Sequence, residues 1–209
     1  MKWCKVLIGL SRLIFIVTII YLVCIFKYDC LMLLLGSLLL TFVPEVYTKL
    51  TKVKIPMSGR LFYTGFILCS QWLGSYLGFY TLIPSWDILL HVTSGVLMGY
   101  VGLMMLIQLD QKNTLFKEQK IGAVVTFILA VSIAAAGIWE IIEFAGDTFL
   151  GTNAQLNSLR DTMEDIICGT VGSVLFAIYI GLRMKTRRES CVDELMRINR
   201  EENREKNKE

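Results

Sequence analysis

Charge is scarce in this chain, histidine scarcer still, and closely spaced cysteine pairs are missing. Only 19% of the 209 residues are charged while 55% are hydrophobic, a balance that excludes an ordinary soluble domain. The six cysteines, Cys4, Cys24, Cys30, Cys69, Cys168 and Cys191, include no pair at metal or redox spacing. They read as packing residues and exclude a disulfide framework. The chain also lacks a convincing repeat, a low-complexity block and a nucleophile motif, since Thr93 and Ser94 beside His91 are ordinary helix residues. His91 is the only histidine, so any site can draw on a single imidazole. No nucleic-acid partner is expected.

Apolar sequence is what the chain has in quantity. Six stretches, 6–26, 30–47, 61–83, 88–109, 121–145 and 165–182, are long enough to cross a bilayer, at roughly 20 residues per crossing. The second is interrupted by Pro44 and Glu45, and topology decides in its favour. With six crossings, 19 of the 21 basic residues fall on one side, leaving only Lys27 and Arg160 on the other. The positive-inside bias then puts both termini in the cytoplasm. Lys2 and Lys5 precede an apolar run too long for a cleaved signal and without a small-x-small exit, so the first span reads as an uncleaved anchor. The expected architecture is an all-α, multi-pass, six-span helix bundle over residues 1–182 in a bacterial cytoplasmic membrane. A charged cytoplasmic tail, 183–209, follows it and opens on Arg183, Lys185, Arg187 and Arg188. The tail's bland reading is a positive anchor continued by a solvated or frayed helix.

Small residues recur at close-packing spacing: Gly74 and Gly78, Gly95 and Gly99, the run from Ala134 to Gly137, and Gly169 with Ser173. Lipid tails supply no hydrophobic force between helices, so small side chains that admit close backbone approach mark bundle contacts. Gly95 and Gly169 are expected at such contacts, making spans four, five and six a tight core.

Acidic residues collect at one end of those three spans. Asp87 and His91 lie four apart in "WDILLH" and share a helix face. In "WEIIEFAGD", Glu140, Glu143 and Asp147 follow at i, i+3 and i+7, one stripe of a helix. In "RDTMED", Asp161 and Asp165 are again four apart, with Glu164 beside them. Under the six-span topology all of these fall at the outer face, with His91 and Glu140 at a similar depth. Seven carboxylates cannot crowd together fully ionised, so some are protonated or a cation lies among them. The expected metal set is His91, Glu140, Glu143, Asp161 and Asp165, with Asp87 and Asp147 as further polar members and Glu140 and Glu143 as catalytic candidates. Ligand hardness suits Mg, Mn or Ca, with Zn or Fe also compatible. Asp87, Asp161 and Glu164 equally fit as wet residues at helix N-termini, and Trp86 and Trp139 as interfacial aromatics. Glu140 and Glu143 are harder to explain that way, because a carboxylate in hydrocarbon costs about 2.5–3.5 kcal/mol.

The segments "WDILLHVTSG", "GIWEIIEF", "DTFLGTNAQ" and "DTMEDIICGTVGS" resemble the YjdF-like family of bacterial inner-membrane proteins of unknown function, over residues 86–173. A looser similarity links the order Asp87–His91, Glu140–Glu143, then Asp161–Asp165 before Gly169 and Gly172, to VanZ-like membrane proteins, whose pattern usually has Gln where Glu143 stands. That similarity implies a cell-envelope role.

One expected function is an enzyme acting on a lipid headgroup or lipid-linked envelope intermediate. Its divalent metal would polarise a phosphoryl or carbonyl oxygen or activate water, with a spare carboxylate as base. The alternatives are a non-catalytic envelope factor and a cation- or proton-coupled binding or transport protein. Against transport, Glu45 is the only acid at the inner edge of a span, so no chain of carboxylates runs through the membrane.

Overall fold

A computed structural model describes residues 2–110, 114–186, 191 and 193–198. Arg187, Arg188 and the tail from residue 199 onward lie outside the described residues. Among the described residues every regular element is helical. Among the described residues five segments are long and apolar enough to cross a membrane: Lys2–Cys24, Leu31–Thr51, Trp86–Leu109, Ile121–Leu150 and Leu159–Thr186. The described residues divide into two compact units, one reaching to Trp86 and taking in residues 195–198, the other beginning at Asp87 and reaching to Glu194.

In the first unit, α1 (Lys2–Cys24) packs against α2 (Leu31–Leu40) and α4 (Met57–Ile67). Phe15, Leu22, Leu34 and Ile67 are buried together at its core. A short turn at Thr41 and Phe42 joins α2 to α3 (Val43–Thr51). Pro44 falls in the first turn of α3, where its missing N–H breaks no helical bond. The interruption in the second expected span is therefore a joint between helices, and residues 31–51 form one candidate span.

Arg12, an arginine in the middle of an apolar helix, is satisfied at this joint. Its guanidinium donates to the Thr41 hydroxyl at 3.2 Å, the Thr41 carbonyl at 2.8 Å and Glu45 Oε1 at 2.9 Å, and it sits 3.9 Å over the Phe42 ring. Arg60 Nη1 lies 3.9 Å from the same Glu45 oxygen.

The third expected span, 61–83, is not a single α-helix. Helix α4 runs directly into a π-helix, Leu68–Tyr76, and the chain then turns at Gly78 into α5 (Phe79–Leu82). Gly78 has φ +77°, a left-handed backbone that glycine adopts without steric cost. A Cβ on Gly74 would come within 2.5 Å of the Tyr80 ring, so the ring of α5 folds back over that glycine. The π-helix is anchored by Trp72, whose indole N–H donates to Thr18 of α1 at 3.0 Å.

The second unit is built on α6 (Trp86–Leu109), the short α7 (Thr114–Lys117), α8 (Ile121–Leu150) and α9 (Leu159–Thr186). Helices α8 and α9 pack along each other as a hairpin joined by residues 151–158. Helix α6 closes on α9 through glycine. A Cβ added to Gly95 would collide with the Gly169 carbonyl oxygen and come within 2.8 Å of its carbonyl carbon. One added to Gly172 would collide with the Val92 carbonyl in the same way. Gly169 itself faces Ala136 of α8 at 3.3 Å by the same measure. The buried Ser132 hydroxyl of α8 donates to the Gly95 carbonyl at 2.9 Å, so one glycine meets both neighbouring helices. Gly137, by contrast, has nothing within 4 Å of its added Cβ. The small-residue contacts expected at Gly95 and Gly169 are present.

Candidate functional site

The acidic ends of α6, α8 and α9 reach one place because the three helices approach so closely. Asp87 and His91 extend from the first two turns of α6, one turn apart on a shared face. Glu140 and Glu143 project from α8, and Asp165 from the second turn of α9. His91 Nε2 lies 3.5 Å from Asp87 Oδ1 and 3.5 Å from Asp165 Oδ1. These three residues offer ligand atoms that all fall within 4.8 Å of one another, and so do Glu140, Glu143 and Asp165. Asp165 belongs to both groups.

Burial is uneven across the five. Glu140 and Asp165 are each only 5% exposed, His91 and Glu143 are half-buried, and Asp87 lies nearer the opening. Besides His91, the donors that reach the carboxylates are neutral. The Trp139 indole N–H donates to Glu143 Oε1 at 2.8 Å, and the Gln155 amide donates to Glu140 Oε2 at 3.2 Å. Neither Glu140 Oε1 nor Asp165 accepts a hydrogen bond from a described residue.

Asp161 sits one turn before Asp165, half-buried and outside both groups. Glu164 turns outward and pairs with Arg160 at 2.7 Å. Asp147, though on the same helical stripe as Glu140 and Glu143, is spent on the loop that follows. Its Oδ1 accepts from the Thr152 hydroxyl at 2.6 Å and the Ala154 N–H at 2.7 Å, and its Oδ2 from the Gln155 N–H at 3.0 Å. Helix α8 itself stops at Gly151, whose φ of +69° is the left-handed cap that glycine supplies.

That loop borders an open groove of about 650 Å³ beside Glu140. Its apolar wall is Ile141, Phe144 and Leu159, and its polar wall includes Gln155, Asn157 and Thr162. Such a mixed lining suits a ligand with both an apolar body and a polar head. Phe149, Leu150 and Leu159 near the loop are about four-fifths exposed, as side chains that meet lipid would be.

Two participants escaped the sequence. Gln155 is neutral and lies 15 residues beyond Glu140, so no helical spacing connects them. Trp139 reads as an interfacial ring, yet its i,i+4 spacing to Glu143 is the signal that could have revealed the hydrogen bond.

Over residues 6–186 the chain matches the family described as "Predicted membrane protein (DUF2238)". It is 31% identical over 147 residues to an uncharacterized protein of Thermotoga maritima, a match covering 70% of this chain and 73% of that one. All five converging residues fall within the span matched to the family. No solved structure matches the chain.

Proposed function

We propose the following for this chain, which belongs to the DUF2238 family of predicted membrane proteins. Asp87, His91, Glu140, Glu143 and Asp165 bind hard divalent metal at the outer boundary of a bacterial cytoplasmic membrane, with Asp161 standing by. The groove beside Glu140 seats the polar head of a lipid or of a lipid-linked cell-envelope intermediate. The observation that carries this reading is the convergence of four carboxylates and the chain's only imidazole, from three helices, around the nearly buried Glu140 and Asp165. A carboxylate packed between membrane helices carries a cost that grows with its depth, and several together add their mutual repulsion. A divalent cation offsets both.

Bound there, such a cation supplies Lewis acidity toward a phosphoryl or carbonyl oxygen of the head, or toward water. Glu143 is the more open of the two glutamates and is oriented by Trp139, which suits it to accept a proton. Glu140, held by Gln155 at the groove wall, fixes the geometry between metal and ligand. The topology that belongs to this reading has six crossings and both termini inside. It is supported by the one-sided distribution of Lys and Arg, with the helical run of α4 and the π-helix taken as the crossing beyond the five candidate spans.

The test is a melting series of the detergent-purified protein with Mg, Mn, Ca, Zn or chelator. Ligand at about 100 times its Kd stabilises by about 2.7 kcal/mol, which a melting curve resolves. Glu140→Gln and Glu143→Gln should each lose most of the metal-dependent rise in Tm, whereas Glu164→Gln should keep it because that residue faces Arg160 and water. A wild-type Tm indifferent to every metal and to chelator overturns the reading.

A further inference from the structure

We propose that the first unit carries a ligand site of its own, independent of the acidic one. It is a seat for the headgroup phosphate of an anionic lipid, formed by Arg60 with Lys49 and Lys52 beside the exposed apolar edge of α3.

The first observation is the way α3 is turned. At about 100° per residue, Val43, Val46, Tyr47 and Leu50 fall on one arc of this helix, and Pro44, Glu45 and Thr48 on the opposite one. In a soluble protein the apolar arc would face the core. Here Pro44 is buried, Glu45 meets Arg12 and Thr48 meets Arg60, while Val46 is 53% and Leu50 77% exposed. The helix keeps its polar side against the protein and its apolar side outward, as a segment in contact with acyl chains does.

The second observation is the state of Arg60. Its Nε donates to the Ile55 carbonyl at 3.1 Å and its Nη2 to the Thr48 hydroxyl at 3.1 Å. Those two bonds fix the guanidinium, yet the neighbouring acid does not use what is left of it. Nη1 stops 3.9 Å from Glu45 Oε1, beyond hydrogen-bond distance. Glu45 is committed to Arg12 at 2.9 Å instead, and its other oxygen, Oε2, is buried and accepts no hydrogen bond from a described residue. Arg60 is thus held in place with an N–H edge unspent, and a planar guanidinium is the group that matches phosphate oxygens.

The third observation is charge. Arg12, Lys49, Lys52 and Arg60 stand here with one carboxylate, Glu45. Lys49 follows Glu45 by one turn of α3, Lys52 caps the helix in a left-handed conformation, and both are exposed. A basic pocket between membrane helices attracts and holds anionic headgroups. Acyl chains along Val46 and Leu50 bring the phosphate of such a lipid to the lysines and to Arg60. A zwitterionic lipid offers the same phosphate but carries its own cation, which leaves the positive excess uncompensated.

The full-length protein is melted in neutral detergent with added phosphatidylglycerol, phosphatidylcholine or inorganic phosphate. Phosphatidylglycerol should raise Tm above phosphatidylcholine by at least about 2–4 °C, the shift that one such charge contact gives in a chain of this size. Inorganic phosphate should leave Tm unchanged, because it brings no acyl chain to α3. Arg60→Gln should lose most of the rise and Lys49→Gln with Lys52→Gln a large part of it, whereas Lys117→Gln, exposed and on another helix, should keep it. Equal melting in the two lipids overturns the proposal, as does a rise reproduced by inorganic phosphate, which would make this a site for a free anion. A rise that survives in the double lysine variant, or that Lys117→Gln lowers as much, overturns the placement at α3. Both lysines are exposed, so their variant decides the question if Arg60→Gln fails to fold.

Discussion

The side-chain amide of Gln155 donates to two acceptors on one residue, the main-chain carbonyl and the Oε2 of Glu140, each at 3.2 Å. The loop after α8 is thereby fastened to the most deeply buried glutamate of the candidate site. Outer-shell hydrogen bonds of this kind orient a ligating carboxylate, and their loss typically lowers metal affinity by about 10–100-fold. Gln155→Ala should therefore weaken metal binding in that range while leaving the apo Tm nearly unchanged, as read by metal titration beside a melting curve. Affinity equal to wild type would mean that the amide holds the loop and not the site.

Asp147 is the other fastening of that loop, with three hydrogen bonds to residues 152–155. Asp147→Ala should release the loop without removing a ligand. Hydrogen exchange at Ala154 and Gln155 should rise sharply, and metal affinity should fall less than in Glu140→Gln. If Asp147→Ala instead abolished metal binding with the loop still protected, Asp147 would be a ligand.

Glycine substitutions separate packing from mere helix composition. Gly95→Ala would drive a Cβ into the Gly169 carbonyl, and both partners are backbone, so the helices must part. Overpacking of this kind costs about 1–3 kcal/mol, and the metal-dependent rise in Tm should fall with it because Asp87 and His91 ride on α6. Gly137→Ala meets open space, and alanine gains up to about 1 kcal/mol in helix propensity. It should be neutral or stabilising. Equal destabilisation by the two substitutions in thermal melts would contradict the close α6–α9 approach.

The contrast also marks what a sequence can and cannot disclose. The apolar runs and the i,i+3 and i,i+4 spacings of Asp87–His91 and Glu140–Glu143 were legible because helical geometry is local. Which glycine meets another helix was not, since Gly137 and Gly169 differ in their neighbours across space. Asp147 shares the helical stripe of Glu140, and only the turn at Gly151 decides that its oxygens go to backbone N–H groups. The π-helix at residues 68–76 has no period of its own in the sequence, so an apolar run that is α-helical only as far as Ile67 looked uniform.

Arg12 offers a test in the first unit. It joins α1 to the α2–α3 joint through Thr41 and Glu45, with side chains 19% and 37% exposed for the ion pair. Breaking a buried pair costs about 3–5 kcal/mol, and partial exposure here reduces that to about 1–3 kcal/mol. Arg12→Met should lower Tm accordingly, and Arg12→Met combined with Glu45→Gln should recover part of the loss, because no carboxylate is then left without its guanidinium. A double variant less stable than Arg12→Met would show that Glu45 is held by Arg60 alone.

The membrane orientation can be checked at the two ends of α8. Lys117 precedes that helix and Asn153 follows it, so if α8 crosses the bilayer, single cysteines at these positions in a background without the six native cysteines must label from opposite sides. The positive-inside distribution assigns Lys117 to the cytoplasm and Asn153 to the outer face. Six crossings add a further requirement, that a cysteine at Lys52 labels from the same side as one at Lys117. Labelling of Lys52 from the side of Asn153 would mean that residues 57–83, with their π-helix, enter the membrane without crossing it. Labelling of Lys117 and Asn153 from one side would deny α8 a crossing and remove the boundary at which Glu140 and Asp165 are proposed to hold a cation.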